Sequence, residues 1–486
     1  MKKFLFLLLV LVLAISFILA GCGPSQPSPS TAPTTSAPPT AAPTSSAPAP
    51  PPTTAKPPPS TSAPAPPPST SAPAAGPAQI LIGGVIPQTG MAASFGQGAW
   101  GLQAAVDDLN AQGGIMVKEF NRRIPVKLTI LDSQSDTAKI GTLAESLVLT
   151  DKVNFLVSSP MWPQDIAAVA QVAEKNKTPY VAFSGPFEPN MAVREAAGGL
   201  KYTWESGFAI GAPPPPGDFR ENVRGYTMMG LAMSYFDKYG AQTNKKVAAF
   251  ASDDPDGRGW YQAFVPALKA AGYTPVGSDK DLGVAPLDIT DFTPIIKQWM
   301  DNGAEIMIGN APAPWVGTLL RQCSTMGFKP KFIIAEKAAM LYDDVTSWGG
   351  NLPNGVMALI EWSPSIKNAK GIGNTTPVSL NDRWTKAMNK PFQPMVGCGY
   401  SQIQILADAI ERAGSLDKAK VQAVLPQTDF ISMRGRAKYD VTQFNRLPIS
   451  YGQWFKAPDP IKWQMKTVFA GDDFIVESDP IFPIPY

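Results

Sequence analysis

"ILIGGVI" occupies residues 80–86, and "GLQAAVDDLN" occupies residues 101–110. The first is a short, continuous apolar run typical of a buried strand. The second has apolar residues at helical spacing, and Gly113-Gly114 ends it. The same alternation continues with predicted strands at 126–131, 154–157 and 180–183 and predicted helices at 137–149 and 165–175. Strands that alternate with helices of about 10 to 15 residues predict an α/β fold, with a parallel sheet covered on both faces.

A second unit of the same kind begins at residue 246. Its predicted strands are 246–251, 305–309 and 332–335, and its predicted helices are 259–271, 291–302 and 315–326. Ligands of such sheets bind outside the carboxyl ends of the strands. The loops expected to carry a binding site are therefore 87–96, 158–164, 184–187, 252–259, 310–314 and 336–337.

The N-terminus has the three parts of a secretory signal. Lys2 and Lys3 supply positive charge, residues 4–20 form an almost uninterrupted apolar run, and Ala20-Gly21 precede Cys22. Residues 1–21 are therefore predicted to be a signal peptide, and the protein is expected to be extracytoplasmic. An uncleaved membrane helix stays open as an alternative, because the apolar run reaches the lower edge of spanning length.

Residues 24–78 consist almost entirely of Pro, Ala, Ser and Thr, and Lys56 is their single charged residue. Such a segment has almost no apolar surface to bury, so it cannot offset its ordering entropy. We interpret residues 22–78 as a disordered, extended linker that holds a folded region away from a membrane. The alternative is a proline-rich ligand tract for an SH3-type domain, and the basic flanks of such a tract are absent.

Composition excludes several classes of function. The chain has 486 residues, a formal net charge of +2, no histidine and three cysteines. Without histidine there is no Ser-His-Asp or Cys-His catalysis, no histidine metal ligand and no histidine pH switch. The near-neutral charge gives no electrostatic basis for binding nucleic acid. A disulfide between Cys323 and Cys398 stays open in an exported protein. Since no catalytic set is recognisable, we expect a binding protein without enzyme activity, cofactor or metal.

Two stretches resemble known families. Leu19-Ala20-Gly21-Cys22 resembles the lipobox of bacterial lipoproteins, which implies diacylation of the Cys22 thiol and cleavage just before it. Thr89-Gly90 through Phe95-Gly96, then "AAVDDLNAQGGI" at 104–115, form a specific block, and weaker blocks follow at 131–136, 167–174, 291–294, 319–322 and 326–328. Together they resemble the branched-chain amino acid (Leu/Ile/Val) substrate-binding proteins of ABC importers, over residues 79 to about 440.

The second resemblance implies the type I periplasmic binding fold, in which two Rossmann-like lobes are joined by three hinge crossovers. By position the crossovers fall near residues 202–205, 357–362 and 437–451. The implied first lobe is residues 79–203 plus 363–436, and the implied second lobe is residues 204–362 plus 437–486. This assignment places Cys398 in the first lobe and Cys323 in the second.

The same resemblance implies a ligand site. Glu336 stands where the amino acid binders have an acidic residue that holds the ligand ammonium, and a solvated glutamate paired with Lys337 is the alternative. The other positions implied to contact the ligand are Phe95, Met161, Trp162, Gln164, Ser184, Gly185, Asp256, Asn310 and Met395. Asp253, Asp254 and Asp256 suggest a calcium loop but lack its closing glutamate, so no metal is expected.

The implied site departs from the family at two positions. Pro163 and Pro186 stand where the family has a serine and a threonine that hold the ligand carboxylate, and proline offers neither a hydroxyl nor an N–H. Ser159, Ser184 and the amides at a helix start remain to meet an anion. The ligand is therefore left as an amino acid, a related amide or an aromatic compound. Each of Trp162, Trp260 and Trp315 is either a stacking surface for it or part of the core.

The leading hypothesis is an extracytoplasmic, lipid-anchored solute-binding protein, expected to be a monomer. It would capture a small molecule by hinge closure and deliver it to the permease and ATPase subunits of an ABC transporter. A surface receptor of the same fold that signals to a membrane partner is the first alternative. An extracytoplasmic enzyme on this scaffold is the second.

Overall fold

The computed structural model describes residues 76–158, 163–277 and 283–486. The strands are β1 (Ile80–Ile86), β2 (Ile115–Val117), β3 (Arg122–Ile124), β4 (Val126–Asp132), β5 (Phe155–Val157), β6 (Tyr180–Pro186), β7 (Thr203–Phe208), β8 (Lys246–Ser252), β9 (Thr274–Pro275), β10 (Val284–Ala285), β11 (Ile306–Asn310), β12 (Phe332–Ala335), β13 (Val356–Ile360), β14 (Asp429–Ser432), β15 (Gly435–Lys438), β16 (Phe444–Arg446), β17 (Ser450–Lys456) and β18 (Trp463–Ala470). The helices are α1 (Ala93–Gly96), α2 (Gly98–Ala111), α3 (Thr137–Leu149), α4 (Pro163–Lys175), α5 (Phe187–Ala196), α6 (Met228–Tyr239), α7 (Pro255–Ala270), α8 (Thr293–Asp301), α9 (Ala313–Met326), α10 (Tyr342–Trp348), α11 (Pro377–Met388), α12 (Pro394–Ala413) and α13 (Lys418–Val424).

The first lobe is built on a six-stranded sheet in the order β16-β7-β6-β5-β1-β4. Every neighbouring pair in it is parallel, and β1 pairs with β4 along its whole length. Apolar side chains of α2, α11 and α12 cover one face of this sheet, and those of α3 and α4 cover the other. Burial on both faces explains why β1 is a continuous apolar run rather than an alternating one.

The second lobe is built on an eight-stranded sheet in the order β10-β8-β11-β12-β13-β17-β18, with β9 also paired to β8. Its strands from β8 to β13 pair in parallel, and β17 and β18 add an antiparallel edge. Helices α8, α9 and α10 cover one face, and α6 and α7 cover the other. The predicted α/β fold with two doubly wound units is confirmed.

The chain passes between the two sheets in three segments, 209–227, 361–376 and 447–449. The boundaries implied by the sequence differ here, since they assign residues 204–208 and 444–446 to the second lobe. In the structure β7 pairs with β6, and β16 pairs with β7, so both strands extend the first sheet. The chain therefore leaves the first sheet only after β7 and, on its later passage, only after β16.

Helices α2 and α12 of the first lobe approach until their backbones touch. A Cβ atom added to Gly101 would lie 2.0 Å from the carbonyl oxygen of Val396, and one added to Gly399 would lie 2.2 Å from that of Gly98. No side chain fits between atoms at such distances. Glycine at these positions therefore allows the two helices to pack and to cover the sheet together.

Two open alternatives from the sequence concern the cysteines and the N-terminus. Cys323 and Cys398 are both free and buried, so the disulfide is not formed. The predicted signal peptide, Cys22 and the linker up to residue 75 lie outside the described residues. Within the ranges given above, no helix is both long enough and apolar enough to cross a membrane.

Candidate functional site

A cavity lies between the two lobes, where the carboxyl ends of strands from both sheets face each other. Its open volume is about 680 Å³, including the mouth. Gly185 and Pro186 at the end of β6, Phe208 at the end of β7 and Phe95 of α1 form the first-lobe wall. The rest of the lining is Ile210, Met228, Asp256, Trp260, Asn310, Glu336, Lys337, Met340, Leu359 and Glu361. This is the place where doubly wound sheets bind ligands.

Glu336 is a buried carboxyl group with one free oxygen. It directly follows β12, its residue is 1% exposed, and its Oε1 accepts a 2.8 Å hydrogen bond from the Tyr451 hydroxyl. Its Oε2 has no hydrogen-bond partner among the described residues. Burial raises the pKa of Glu336 from 4.5 to about 8, against smaller lowering effects of Tyr451 and the Leu359 amide. At pH 7 the ligand-free group therefore keeps its proton for most of the time, and Oε2 is the carboxyl oxygen that still lacks a hydrogen-bond partner.

Glu361 is a second buried carboxyl group in the same cavity. It directly follows β13, the strand next to β12, and it is 2% exposed. Burial raises its pKa to about 7, while the charge of Arg434 and a contact with the Cys398 thiol lower it. The thiol sulfur lies 3.7 Å from Glu361 Oε2. Two carboxyl groups with raised pKa values thus stand on the ends of adjacent strands.

Lys337 is paired inside the protein. Its Nζ lies 2.6 Å from Oδ2 of Asp256, so the alternative that pairs Lys337 with Glu336 is not the contact formed. Burial lowers the pKa of Lys337, but the charges of Asp256 and Asp254 outweigh burial and the net direction is upward. Lys337 therefore stays charged and neutralises Asp256, and it leaves the two glutamates without a cationic partner in the cavity lining.

The three aspartates that suggested a calcium loop have other partners. Asp254 caps α7 by accepting hydrogen bonds from the amides of Asp256 and Gly257. Asp253 pairs with Arg258, and Asp256 pairs with Lys337. In the part of the chain that the structure describes, no group of three or more acidic, cysteine or histidine side chains is arranged to hold a metal ion.

The remainder of the cavity wall is apolar and aromatic. Trp260 is 1% exposed and stacks on Phe264, with ring centroids 4.6 Å apart. Its Nε1 has no hydrogen-bond acceptor among the described residues. The indole N–H is therefore an unused donor on a side chain that lines the cavity. Trp315 differs, because it packs between Phe250 and Phe292 and donates to the carbonyl oxygen of Pro286. Trp260 faces the cavity, and Trp315 belongs to the core.

The structure brings together five of the implied ligand residues, namely Phe95, Gly185, Asp256, Asn310 and Glu336. Gln164 lines a neighbouring cavity at the mouth, which shares Asp256 and Lys337 with the first. Met395 lies elsewhere, fully buried in the core against the second lobe. Met161 and Trp162 lie outside the described residues, and Ser184 is described only as part of strand β6.

The sequence reasoning missed the lining residues contributed by the hinge segments and their neighbours. These are Phe208, Ile210, Met228, Leu359 and Glu361. For Glu361 a signal was available, because an acidic residue directly after a buried strand is the pattern that identified Glu336. The apolar residues carried no such signal, because each of them is equally typical of a residue in the hydrophobic core.

Polar contacts also join the lobes beside the cavity. From the first lobe, the Ser94 hydroxyl donates to Asp344 over 2.8 Å, and Gln97 donates to Asp343 over 2.5 Å. Lys390 Nζ, from the loop before α12, lies 2.7 Å from Asp343. These contacts hold α10 of the second lobe against α1 and the start of α2.

Comparison with known proteins gives consistent relatives. A family model described as periplasmic binding protein matches residues 79–450. Leu/Ile/Val-binding protein homolog 1 of Brucella abortus is 26% identical over 389 residues, 79% of this chain and 92% of that protein. A leucine-binding protein of Thermotoga maritima has a TM-score of 0.61 at 20% identity, covering 81% of this chain and 100% of its own. A solute-binding protein of a Rhodopseudomonas palustris ABC transporter, in complex with 3,4-dihydroxybenzoic acid, has a TM-score of 0.60 at 19% identity. The match covers 82% of this chain and 99% of that protein.

Proposed function

The chain belongs to the periplasmic binding protein family, and we propose that it captures one small organic molecule between its lobes and delivers it to an ABC permease. It is a solute-binding protein of the ABC-transporter type, it acts outside the cytoplasm, and it is not an enzyme. The observation that carries the proposed site is the free, buried Oε2 of Glu336 in the wall of the interlobe cavity.

A buried polar atom without a hydrogen-bond partner is costly, by about 1–3 kcal/mol. A ligand that brings an N–H to Glu336 removes this cost, and a ligand ammonium adds charge-assisted strength. The apolar wall around it contributes hydrophobic stabilisation at about 25 cal/mol per Å² of buried apolar surface. A small molecule with an apolar body and a nitrogen donor therefore matches what the cavity offers.

Capture follows from the way the cavity is divided. Phe95, Gly185 and Pro186 come from the first lobe, and Asp256 and Glu336 come from the second. A ligand touching both walls has more contacts in the closed state than in an open one, so it shifts the hinge equilibrium toward closure. The interlobe hydrogen bonds at Asp343 and Asp344 support the same state.

We place the protein at the membrane surface through a lipid on Cys22. The linker at residues 22–78 then sets how far the lobes reach from the anchor. A tethered receptor stays close to its permease, which raises their effective concentration without any new contact. Residues 22–75 lie outside the described structure, and the sequence is the support for this part of the proposal.

The ligand classes to test come from the cavity and from the relatives. We expect thermal unfolding of the protein to shift upward with at least one of L-leucine, L-phenylalanine, L-leucinamide, L-phenylalaninamide and 3,4-dihydroxybenzoate. A compound present at about 100 times its Kd adds about 2.7 kcal/mol to the unfolding free energy. A panel in which none of these compounds raises the unfolding temperature would contradict the proposed function.

A further inference from the structure

We propose that Glu361 is a second ligand-binding carboxyl, and that the cavity therefore takes an organic ammonium compound with a further N–H donor, such as an amino amide or a diamine. This inference rests on the proposed function and names its ligand class. It departs from a site that holds an amino acid by one acidic side chain and a separate carboxylate pocket.

The register of the second sheet places the two glutamates close together. Ile333 pairs with Val356 and Ile334 with Met357, so β12 and β13 end side by side with Glu336 level with Leu359. Glu361 stands two residues further along the same chain direction, which is about 7 Å. Leu359 and Glu361 both line the cavity, so they face the same side. A molecule of amino amide size spans that separation.

The charge in the cavity favours a cation. Its lining contains three carboxyl groups, of Asp256, Glu336 and Glu361, and one ammonium group, of Lys337, which pairs with Asp256. Both remaining carboxyl groups are buried, and burial raises the pKa of each, so each resists ionisation in the empty cavity. A ligand ammonium supplies a positive charge that favours their ionised form, whereas a ligand carboxylate opposes it.

Arg434 is a cation whose charge acts on Glu361 from outside the cavity lining. Its guanidinium lies 4.8 Å over the Phe183 ring, and its Nη2 donates to the carbonyl oxygen of Pro448. Its charge lowers the pKa of Glu361, yet burial dominates and the net direction remains upward. Arg434 is absent from the cavity lining, so Glu361 presents its carboxyl group to the ligand space without a covering cation.

The aromatic wall suits the same class of ligand. Phe95, Phe208 and Trp260 line the cavity, and aromatic faces attract cations that are withdrawn from water. The free Trp260 Nε1 donor is the one feature that prefers an acceptor, and the carbonyl oxygen of an amide provides it. An amino amide has an ammonium, an amide N–H and an amide oxygen, so it offers a partner to Glu336, to Glu361 and to the indole N–H of Trp260.

Matched probes with one apolar body test the proposal by calorimetry on the full chain at pH 7. L-leucinamide carries both nitrogen donors, 3-methylbutylamine carries the ammonium alone, and L-leucine replaces the amide by a carboxylate. L-phenylalaninamide, 2-phenylethylamine and L-phenylalanine form the aromatic set. We expect the amide to bind best in at least one set. A charged hydrogen bond of about 1.5–3 kcal/mol corresponds to a preference of about 10-fold to 100-fold over the amine.

The Glu361→Gln variant separates a ligand contact from a structural role. We expect this variant to bind the amide about tenfold more weakly or worse, and to bind the amine with nearly unchanged affinity, because the amine has no group that reaches position 361. Equal weakening of amide and amine would show an indirect effect and would overturn the proposal. Glu145→Gln, which changes a half-buried glutamate on α3 that pairs with Lys175 away from the cavity, is the matched control and should bind like the wild type.

The outcomes also separate this inference from the proposed function. Tighter binding of L-leucine, L-phenylalanine or 3,4-dihydroxybenzoate than of every amide and amine would overturn the ligand class and leave solute capture intact. Failure of all these acids, amides and amines to bind would overturn both. Preferential binding of an amide, lost in Glu361→Gln, supports both.

Discussion

The Glu336→Gln variant is expected to be more stable than the ligand-free wild type at pH 9, by about 5 kcal/mol. Burial raises the pKa of Glu336 from 4.5 to about 8, so the folded state keeps a proton that the unfolded chain releases. Stability from this group is therefore full below about pH 4.5 and is lost as the pH rises through 8, at about 1.4 kcal/mol per pH unit. Glutamine does not ionise, so the variant avoids that loss.

Urea unfolding of both proteins between pH 4 and pH 9 measures this difference. At pH 4 the unfolding free energies of Glu336→Gln and wild type should agree within about 2 kcal/mol, because the glutamine oxygen can still accept a hydrogen bond from the Tyr451 hydroxyl. The Glu145→Gln control should follow the wild type at every pH. Parallel curves for Glu336→Gln and wild type over the whole range would mean that Glu336 ionises normally and is not desolvated as described.

The Gly101→Ala variant is expected to lose about 3 kcal/mol of unfolding free energy. The added methyl group would lie 2.0 Å from the carbonyl oxygen of Val396, so α2 and α12 must separate. Overpacking of this kind costs about 1–3 kcal/mol and here also loosens the core behind both helices.

Gly141→Ala is the matched control for this prediction. Gly141 lies within α3, and a Cβ atom there meets no other atom within 4 Å. Alanine favours a helix over glycine by about 1 kcal/mol, so this variant should be slightly more stable than the wild type. Equal stabilities of the two variants in urea unfolding would contradict the close contact between α2 and α12.

Much of the fold is readable from the sequence, because both sheets are buried on both faces. Thr137–Leu149 and Phe332–Ala335 form the helix and the strand at the bounds that were predicted. The start of α7 was placed four residues late, at Gly259, although Asp254 and Pro255 are a cap and a first-turn proline that mark the true start. The capping residue and the proline are thus local sequence signals that mark the start of α7 correctly.

The site was harder to predict from the sequence, because residues from distant parts of the chain, including the segments that cross between the lobes, form it. Glu336 could be found from the end of a strand and from the family resemblance, whereas Phe208 depends on where β7 ends and the first crossing begins. Whether a tryptophan lines a cavity or fills a core depends on neighbours distant in sequence. Trp260 and Trp315 show both outcomes from similar sequence contexts.

Glu336 is expected to bind the ligand between the lobes. Calorimetric titration of wild type and Glu336→Gln at pH 7, with the compound that most stabilises the wild type, measures its contribution. We expect one site per chain in the wild type and at least a tenfold weaker Kd in the folded variant, because the variant loses a charge-assisted hydrogen bond. Unchanged affinity in Glu336→Gln would show that Glu336 does not bind the ligand.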